Sequence, residues 1–290
     1  MINYIKRKNL DILKYNTCVE KSIYSKIYAF SWYLDIVSDN WDVLVLNDYE
    51  AVMPIPWNSK FGLKYISQPY FCQQINVYSV KEVELDVFIK KLPYYFLLTQ
   101  LHFSTKPEQF KVNNKQNYSL TLNKKYLEIY SNYRKDRKKS LKKSIEAELT
   151  FKDFDNKTNL INLYRKVFED VNNSEKCFFI IEEIISFCLK NKFGFIRNVY
   201  KEEELICSGF FAVYKNKIYY LFAASNTVGK KYGATTFLIN SVIKQYSNSS
   251  FEFDFEGSTI PNTASFYKSF GSDISNYYSF NTNILKRVFI

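Results

Sequence analysis

A chain of 290 residues is long for one average domain and comfortable for two, and a hydrophobic content of 47% can fill a sizeable core. The net charge of +11 and a pI near 9.1 fit an anionic partner or simply a lysine-rich surface. A single histidine, His102, argues against a histidine-based metal site, and its setting between Leu101 and Phe103 reads as packing and not catalysis. Five scattered cysteines (Cys18, Cys72, Cys177, Cys188, Cys207) form no Cys-x-x-Cys pair, which argues against a disulfide framework or a zinc site and fits a reducing cytoplasm.

The N-terminus, Met1 to Lys8, lacks the long apolar core of a signal peptide. Ser22 to Val37 carries Ile23, Ile27, Phe30, Tyr33 and Leu34 at helical spacing. Trp41 to Leu46 and Tyr49 to Pro54 read as strands joined by an Asn47-Asp48 turn. Phe61-Gly62 turns into a strand from Leu63 to Ser67, which Pro69 ends. Val83 to Lys91 reads as a helix and Tyr94 to Leu101 as a strand, and the longest apolar-rich stretch, Leu92 to Leu101, is too short to span a bilayer. Asn113, Asn114 and Asn117 suggest a polar loop.

The second half repeats the plan. Ile180 to Asn191 is expected to be helical, followed by strands over Phe193 to Tyr200, Leu205 to Tyr214 and Ile218 to Ala224. A helix over Thr235 to Tyr246 and a strand over Phe251 to Phe255 complete it. Ala51 and Leu205, like Ile66 and Leu221, are offset by 154 and 155 residues, which suggests duplication of one α+β unit. The expected boundary lies near Leu120 to Lys125, giving units 1–122 and 123–290, the second led by a basic helix.

Three segments carry chemistry. Ala223-Ala224-Ser225-Asn226 runs through Gly229, Lys230, Lys231 and Gly233 into a helix opened by Ala234. Glycines and lysines at a helix start can receive an anion on free backbone N–H groups, although a plain turn has the same look. Phe253-Asp254-Phe255-Glu256-Gly257-Ser258 alternates, so that Asp254 and Glu256 share one strand face. An amphipathic helix with Tyr267 and Lys268 follows. Arg134, Arg137 and Lys138 belong to a helix charged on most sides, able to hold phosphates or to serve as a solvated linker. In the first half, Trp57, Gln68, Tyr70 and Gln73 could form a polar-specific pocket, or pack in the core.

These segments resemble the GNAT-type acyltransferases, closest to their Fem-like, aminoacyl-transferring branch. The resemblance implies two tandem units, each with a mixed, splayed sheet flanked by helices. It implies an acyl or aminoacyl transfer from a thioester or ester donor to an amine or hydroxyl within a ternary complex. By that resemblance, Asp254 and Glu256 are candidates to bind the acceptor amine or take its proton. Tyr267 would protonate the leaving group. Ala224, Ser225, Gly229, Lys230, Lys231, Gly233 and Ala234 would cradle donor phosphates, with acyl-CoA as the implied donor and no metal. The usual acyl-CoA loop reads Gln/Arg-x-x-Gly-x-Gly/Ala; here Lys230 and Thr235 stand at its ends. Ser258 and Lys268 join Trp57, Gln68, Tyr70 and Gln73 as candidates for the small-molecule or peptide-like acceptor. Fem-like relatives use aminoacyl-tRNA and a cell-wall precursor, so tRNA or an anionic lipid-linked precursor is the alternative partner. A non-catalytic binding protein on the same fold is the other alternative.

Overall fold

The computed structural model describes residues 1–154, 156–168 and 175–283. The chain divides into unit 1, Met1–Lys115 with Asn276–Ile290, and unit 2, Gln116–Ser275.

Unit 1 begins with β1 (Ile2–Lys6) and a short 3-10 turn. Helix α1 (Ile12–Lys21) follows, its first turn closed by Asp11 accepting from the Lys14 N–H. The expected helix from Ser22 to Val37 is interrupted: Ser22 ends α1, and α2 covers only Ser31–Val37. The Ser22 hydroxyl accepts from the N–H groups of Tyr24 and Ser79, so the chain turns there instead of continuing the helix. Next come β2 (Asn40–Leu46), β3 (Ala51–Lys60), β4 (Leu63–Ser67), the short β5 (Tyr78–Ser79), α3 (Leu85–Lys90) and β6 (Phe96–Phe103). Phe61 and Gly62 both take positive φ in the tight β3–β4 turn, as hairpin twist requires.

The segment read as a polar loop is β7 (Val112–Thr121). Asn117 is buried there against a neighbouring carboxylate, so its polarity marks a satisfied contact and not a loop. Unit 2 continues with α4 (Tyr126–Ser131), α5 (Lys135–Glu146), β8 (Thr150–Phe154), α6 (Thr158–Val167) and α7 (Glu175–Lys190). Strands β9 (Gly194–Lys201), β10 (Glu204–Tyr214) and β11 (Lys217–Ser225) form an antiparallel meander. Helices α8 (Thr227–Tyr232) and α9 (Ala234–Tyr246), strand β12 (Glu252–Asp254), α10 (Pro261–Lys268) and β13 (Asp273–Asn283) complete the chain.

The two units share one strand order. In unit 1 it is β1-β2-β3-β4-β6-β13, with β5 beside β3; in unit 2 it is β8-β9-β10-β11-β12-β7. The β4–β6 and β11–β12 pairs are parallel, at equivalent places in the two orders. The closing strands are exchanged along the chain. β6 is followed by β7 but pairs with β13, whereas β12 is followed by β13 but pairs with β7.

Each sheet is covered by helices whose apolar stripes it buries. Leu238, Ile239, Val242 and Ile243 of α9 pack on Phe211, Ile218, Tyr220 and Phe253. Each such side chain contributes about 1.5–3 kcal/mol on burial. Tyr15, Val19 and Leu34 of α1 and α2 are likewise buried in unit 1; the Tyr15 ring meets that of Trp41 with centroids 5.4 Å apart, and its hydroxyl donates to the Ala29 carbonyl at 2.6 Å. All five cysteines are free thiols. No helix among the described residues is long and apolar enough to cross a membrane.

Candidate active site

The β11–β12 pairing in unit 2 covers only Lys217↔Glu252, Ile218↔Phe253 and Tyr219↔Asp254. β11 then runs on to Ser225 with its pairing to β10 intact, while β12 ends at Asp254. Two parallel strands that part in this way leave backbone N–H and C=O groups of β11 facing an opening.

Phe253 and Phe255 turn into the core, as the alternation requires, and Asp254 lies on the opposite face, 1% exposed. Its Oδ1 accepts from Asn117 Nδ2 and from the Glu256 N–H, both at 3.0 Å, and its Oδ2 faces Lys217 Nζ at 3.4 Å. Lys217 also bonds Glu252 at 3.0 Å. Burial alone would lower the Lys217 pKa, but Asp254 and Glu252 outweigh it and raise it above 10.5.

Glu256 does not continue the strand alternation. It takes φ +67°, followed by Gly257 at φ +64°. A left-handed glutamate is strained and persists only where its surroundings hold it. Here the bond from its N–H to Asp254 does so. Asp254 therefore fixes the corner that presents Glu256, which is half-buried beside the opening.

Tyr267 of α10 is half-buried among Phe255, Tyr118 and Tyr220, with ring centroids 5.1, 6.2 and 6.4 Å away. Burial, aided by the Glu256 charge, pushes its phenol up to about 12. The Tyr219 phenol is also raised, by burial and by the charges of Asp254, Glu256 and Glu252. The structure thus gathers Asp254, Glu256 and Tyr267 in one neighbourhood. Ser258 caps its own loop by accepting from the Ile260 N–H, and Lys268 is exposed at the end of α10.

The glycine-lysine segment has a different internal logic. Asn226 caps α8 by accepting from the Gly229 N–H at 2.8 Å. A Cβ at Gly229 would stand 2.3 Å from the Ile206 carbonyl oxygen, and one at Gly233 2.5 Å from Ser140 Oγ. Both glycines therefore allow close packing, against β10 and α5. Ala224, Ser225 and Ala234 are buried beside them, whereas Lys230 and Lys231 are exposed. Lys231, Lys143 of α5 and Lys201 of β9 surround the Tyr232 ring at 5.3, 6.0 and 5.6 Å. Lys231 in the glycine-lysine segment and Lys143 in the basic helix both stand out in the sequence, but their meeting with Lys201 at one ring depends on the fold.

The basic helix begins one residue after Arg134. Arg134 forks onto Asp136 with two 2.7 Å bonds, and Lys138 donates to the Ser131 carbonyl. Arg137 is largely buried: it stacks on Phe266 at 4.3 Å and donates to Ser269 and Thr236, joining α5 to α9 and α10. Lys135 and Lys139 are exposed and form no ion pair among the described residues.

In unit 1, Gln68 bridges the Cys72 carbonyl and the His102 N–H, and the Gln73 carbonyl meets His102 Nδ1 at 3.2 Å. Burial lowers the His102 pKa. Tyr70 is 71% exposed. Trp57 stands elsewhere, donating to Asp42 at 2.8 Å in a cavity it shares with Tyr4, Lys64 and Tyr95. The first-half candidates thus form two groups. Among the described residues no three histidine, cysteine or carboxylate groups are placed to hold a metal ion.

No known protein-family profile and no curated protein matches the sequence. Solved structures do match the fold. FemX superposes with a TM-score of 0.69 over 99% of each chain at 8% identity. A C-terminal domain assigned to a lysylphosphatidylglycerol synthetase from Agrobacterium fabrum gives 0.61 at 11% identity, covering 96% of this chain and 94% of that one. A tandem GNAT protein of the clavulanic acid biosynthesis pathway gives 0.55 at 6% identity, covering 98% and 99%. The chain has the tandem GNAT-like fold shared with Fem-like proteins.

Proposed function

We propose that this chain transfers an acyl or aminoacyl group from an ester or thioester donor to an amine. The observation that carries this reading is the parting of β11 from β12, with Glu256 and Tyr267 beside the opening. An extended donor arm fits between strands that have stopped pairing. Backbone N–H groups of β11 between Ala223 and Ser225 that face the opening would stabilise the carbonyl oxygen as charge develops. Glu256 takes the proton of the attacking amine, and Tyr267 supplies one to the leaving oxygen or sulfur. Asp254, buried and fully engaged, is a positioning residue that sets the Glu256 corner.

The donor we favour is an aminoacyl-tRNA. Gly229 and Gly233 are taken up by packing, whereas Lys143, Lys201 and Lys231 converge on Tyr232, suited to a polyanion. The lysylphosphatidylglycerol synthetase domain, whose name denotes an aminoacyl ester product, supports aminoacyl transfer on this fold. The acceptor would then be a peptide-like or lipid-linked amine met in the cytoplasm.

Calorimetry with acetyl-CoA and with charged tRNA, at low and moderate salt, tests this. Salt-sensitive binding of charged tRNA, followed by aminoacyl loss to an added amine, is expected. Salt-resistant micromolar binding of acetyl-CoA would replace the donor. Binding of neither would leave a fold that binds other ligands without transfer.

A further inference from the structure

The β3–β4 hairpin of unit 1 ends in Ser59-Lys60-Phe61-Gly62-Leu63-Lys64, and every one of these residues is exposed. Phe61 is 92% exposed and Leu63 58%. A Cβ built at Gly62 would meet nothing within 4 Å, so the tip stands clear of the surrounding chain. Two-residue turns with both central φ positive favour Asn or Asp followed by Gly. Gly62 fits that pattern at φ +77°, whereas Phe61 takes φ +52°, a conformation that a bulky side chain adopts only under strain. The position thus holds a large apolar side chain in the open, against the turn's own preference.

The register sorts the charges behind the tip. Lys60 pairs with Leu63 and Ser59 with Lys64, so the two lysines project from opposite faces of the ribbon. Neither forms an ion pair among the described residues. The Lys64 ammonium lies over the Trp57 and Tyr95 rings, 4.5 and 5.4 Å from their centroids. Trp57 and Tyr4 turn their polar ends inward onto the buried Asp42, and Tyr95 is 49% exposed. Lys6 and Lys8 are exposed on the same lining. Its carboxylates are Asp35, held by Arg7 and Trp41, the engaged Asp42, and Asp39. From the tip backwards the order is therefore apolar side chains, then lysines beside amphipathic rings. A bilayer surface has the matching order, an acyl boundary and then a headgroup layer where lysine and aromatic rings concentrate.

We propose that this hairpin docks unit 1 onto an anionic lipid bilayer, with Phe61 and Leu63 in the acyl boundary and Lys60 and Lys64 among the headgroup phosphates. A stable protein interface removes about 800 Å² from each partner, and a Phe side chain supplies only about 150–250 Å². The two-residue apolar tip is thus too small for a protein partner but large enough to enter lipid. Lysines on both faces of the ribbon repel those of a second copy and attract phosphates. This surface belongs to unit 1 alone and does not depend on group transfer in unit 2.

The test sediments the full-length chain with vesicles of phosphatidylcholine alone and of phosphatidylcholine with phosphatidylglycerol in equal parts, at low and moderate salt. Binding to the mixed vesicles is expected to fall with salt and to exceed binding to phosphatidylcholine about tenfold or more. Phe61→Asn with Leu63→Ser should weaken it about tenfold or more. Because Asn suits the turn, the melting temperature of that variant should hold or rise. Lys60→Gln with Lys64→Gln should weaken binding about tenfold and flatten its salt dependence. Phe61→Trp should keep binding, and its added fluorescence should be quenched by lipids brominated on their acyl chains. No sedimentation with mixed vesicles at millimolar lipid, unchanged binding of F61N/L63S, or an unquenched Phe61→Trp signal overturns the proposal. So does a dimer that forms without lipid and is lost in F61N/L63S, which would give the tip to a second copy.

Discussion

The two units are built on one plan and treat its parallel strand pair differently. In unit 1 β4 is paired with β6 through its last residue, Ser67↔Gln100. In unit 2 the equivalent pairing stops at Tyr219↔Asp254 while β11 continues to Ser225. Charge is also distributed differently in the two units. The residues after β11 gather lysines around Tyr232, whereas a pocket at the start of α3 gathers glutamates. A repeated scaffold can thus keep its strand order and change what it holds by where one ladder ends.

The largest effect expected to break this comparison comes from the corner at Glu256. Glu256→Gln should lower the transfer rate by about 10²–10⁴, the range for loss of a general base, with little change in melting temperature. Asp254→Asn should lower the rate and also destabilise the fold, because it weakens the contact to Lys217 and the hold on the left-handed corner. A Glu256→Gln enzyme with full activity in single-turnover assays would remove the carboxylate from the mechanism.

Packing sharpens the contrast next. Gly229→Ala must push a Cβ against the Ile206 carbonyl, and should cost about 1–3 kcal/mol in chemical denaturation. Gly62→Ala in unit 1 meets nothing within 4 Å and pays only for its φ of +77°, about 1–2 kcal/mol. A Gly229→Ala chain as stable as the parent would show that Gly229 is not held by close approach.

The Lys217 cluster gives a pH signature. Because its folded pKa is raised, its stabilisation is complete below the ordinary value of 10.5 and is lost as the pH rises through the folded value. Lys217→Met should therefore destabilise the chain at pH 8 and shrink its remaining loss of stability in alkali. The side chain is about a quarter exposed, so the effect is set at about 1–2 kcal/mol. Smallest of all, replacing Lys143, Lys201 and Lys231 by Gln should weaken binding of charged tRNA and reduce its salt slope, each lysine contributing about one unit or less.

Much of this plan was legible in the chain. Strands alternate or run apolar, and turns such as Phe61-Gly62 carry their own residue signals, so the repeated order of helix and strand could be read. The broken helix before Val37 was hidden because Ser22 acts through bonds to Tyr24 and Ser79, the latter distant in sequence. β7 was hidden because Asn117 is made strand-compatible by Asp254, on a strand far along the chain. Within the site, Asp254, Glu256 and Tyr267 stood out as a local motif. Asn117, Lys217 and Lys201 did not, since their roles depend on tertiary partners that no local pattern encodes.

The exchange of closing strands has a consequence for the order in which the chain can mature. β6 cannot acquire its antiparallel neighbour until β13, at the far end of the chain, has been synthesised. A growing chain that has emerged only as far as β12 can assemble the sheet of unit 2, because β7 is already present, while unit 1 still displays the bare edge of β6. The later unit in sequence can thus pair its parallel strand and its exchanged strand first, while β6 of the first unit keeps an adhesive edge until β13 arrives.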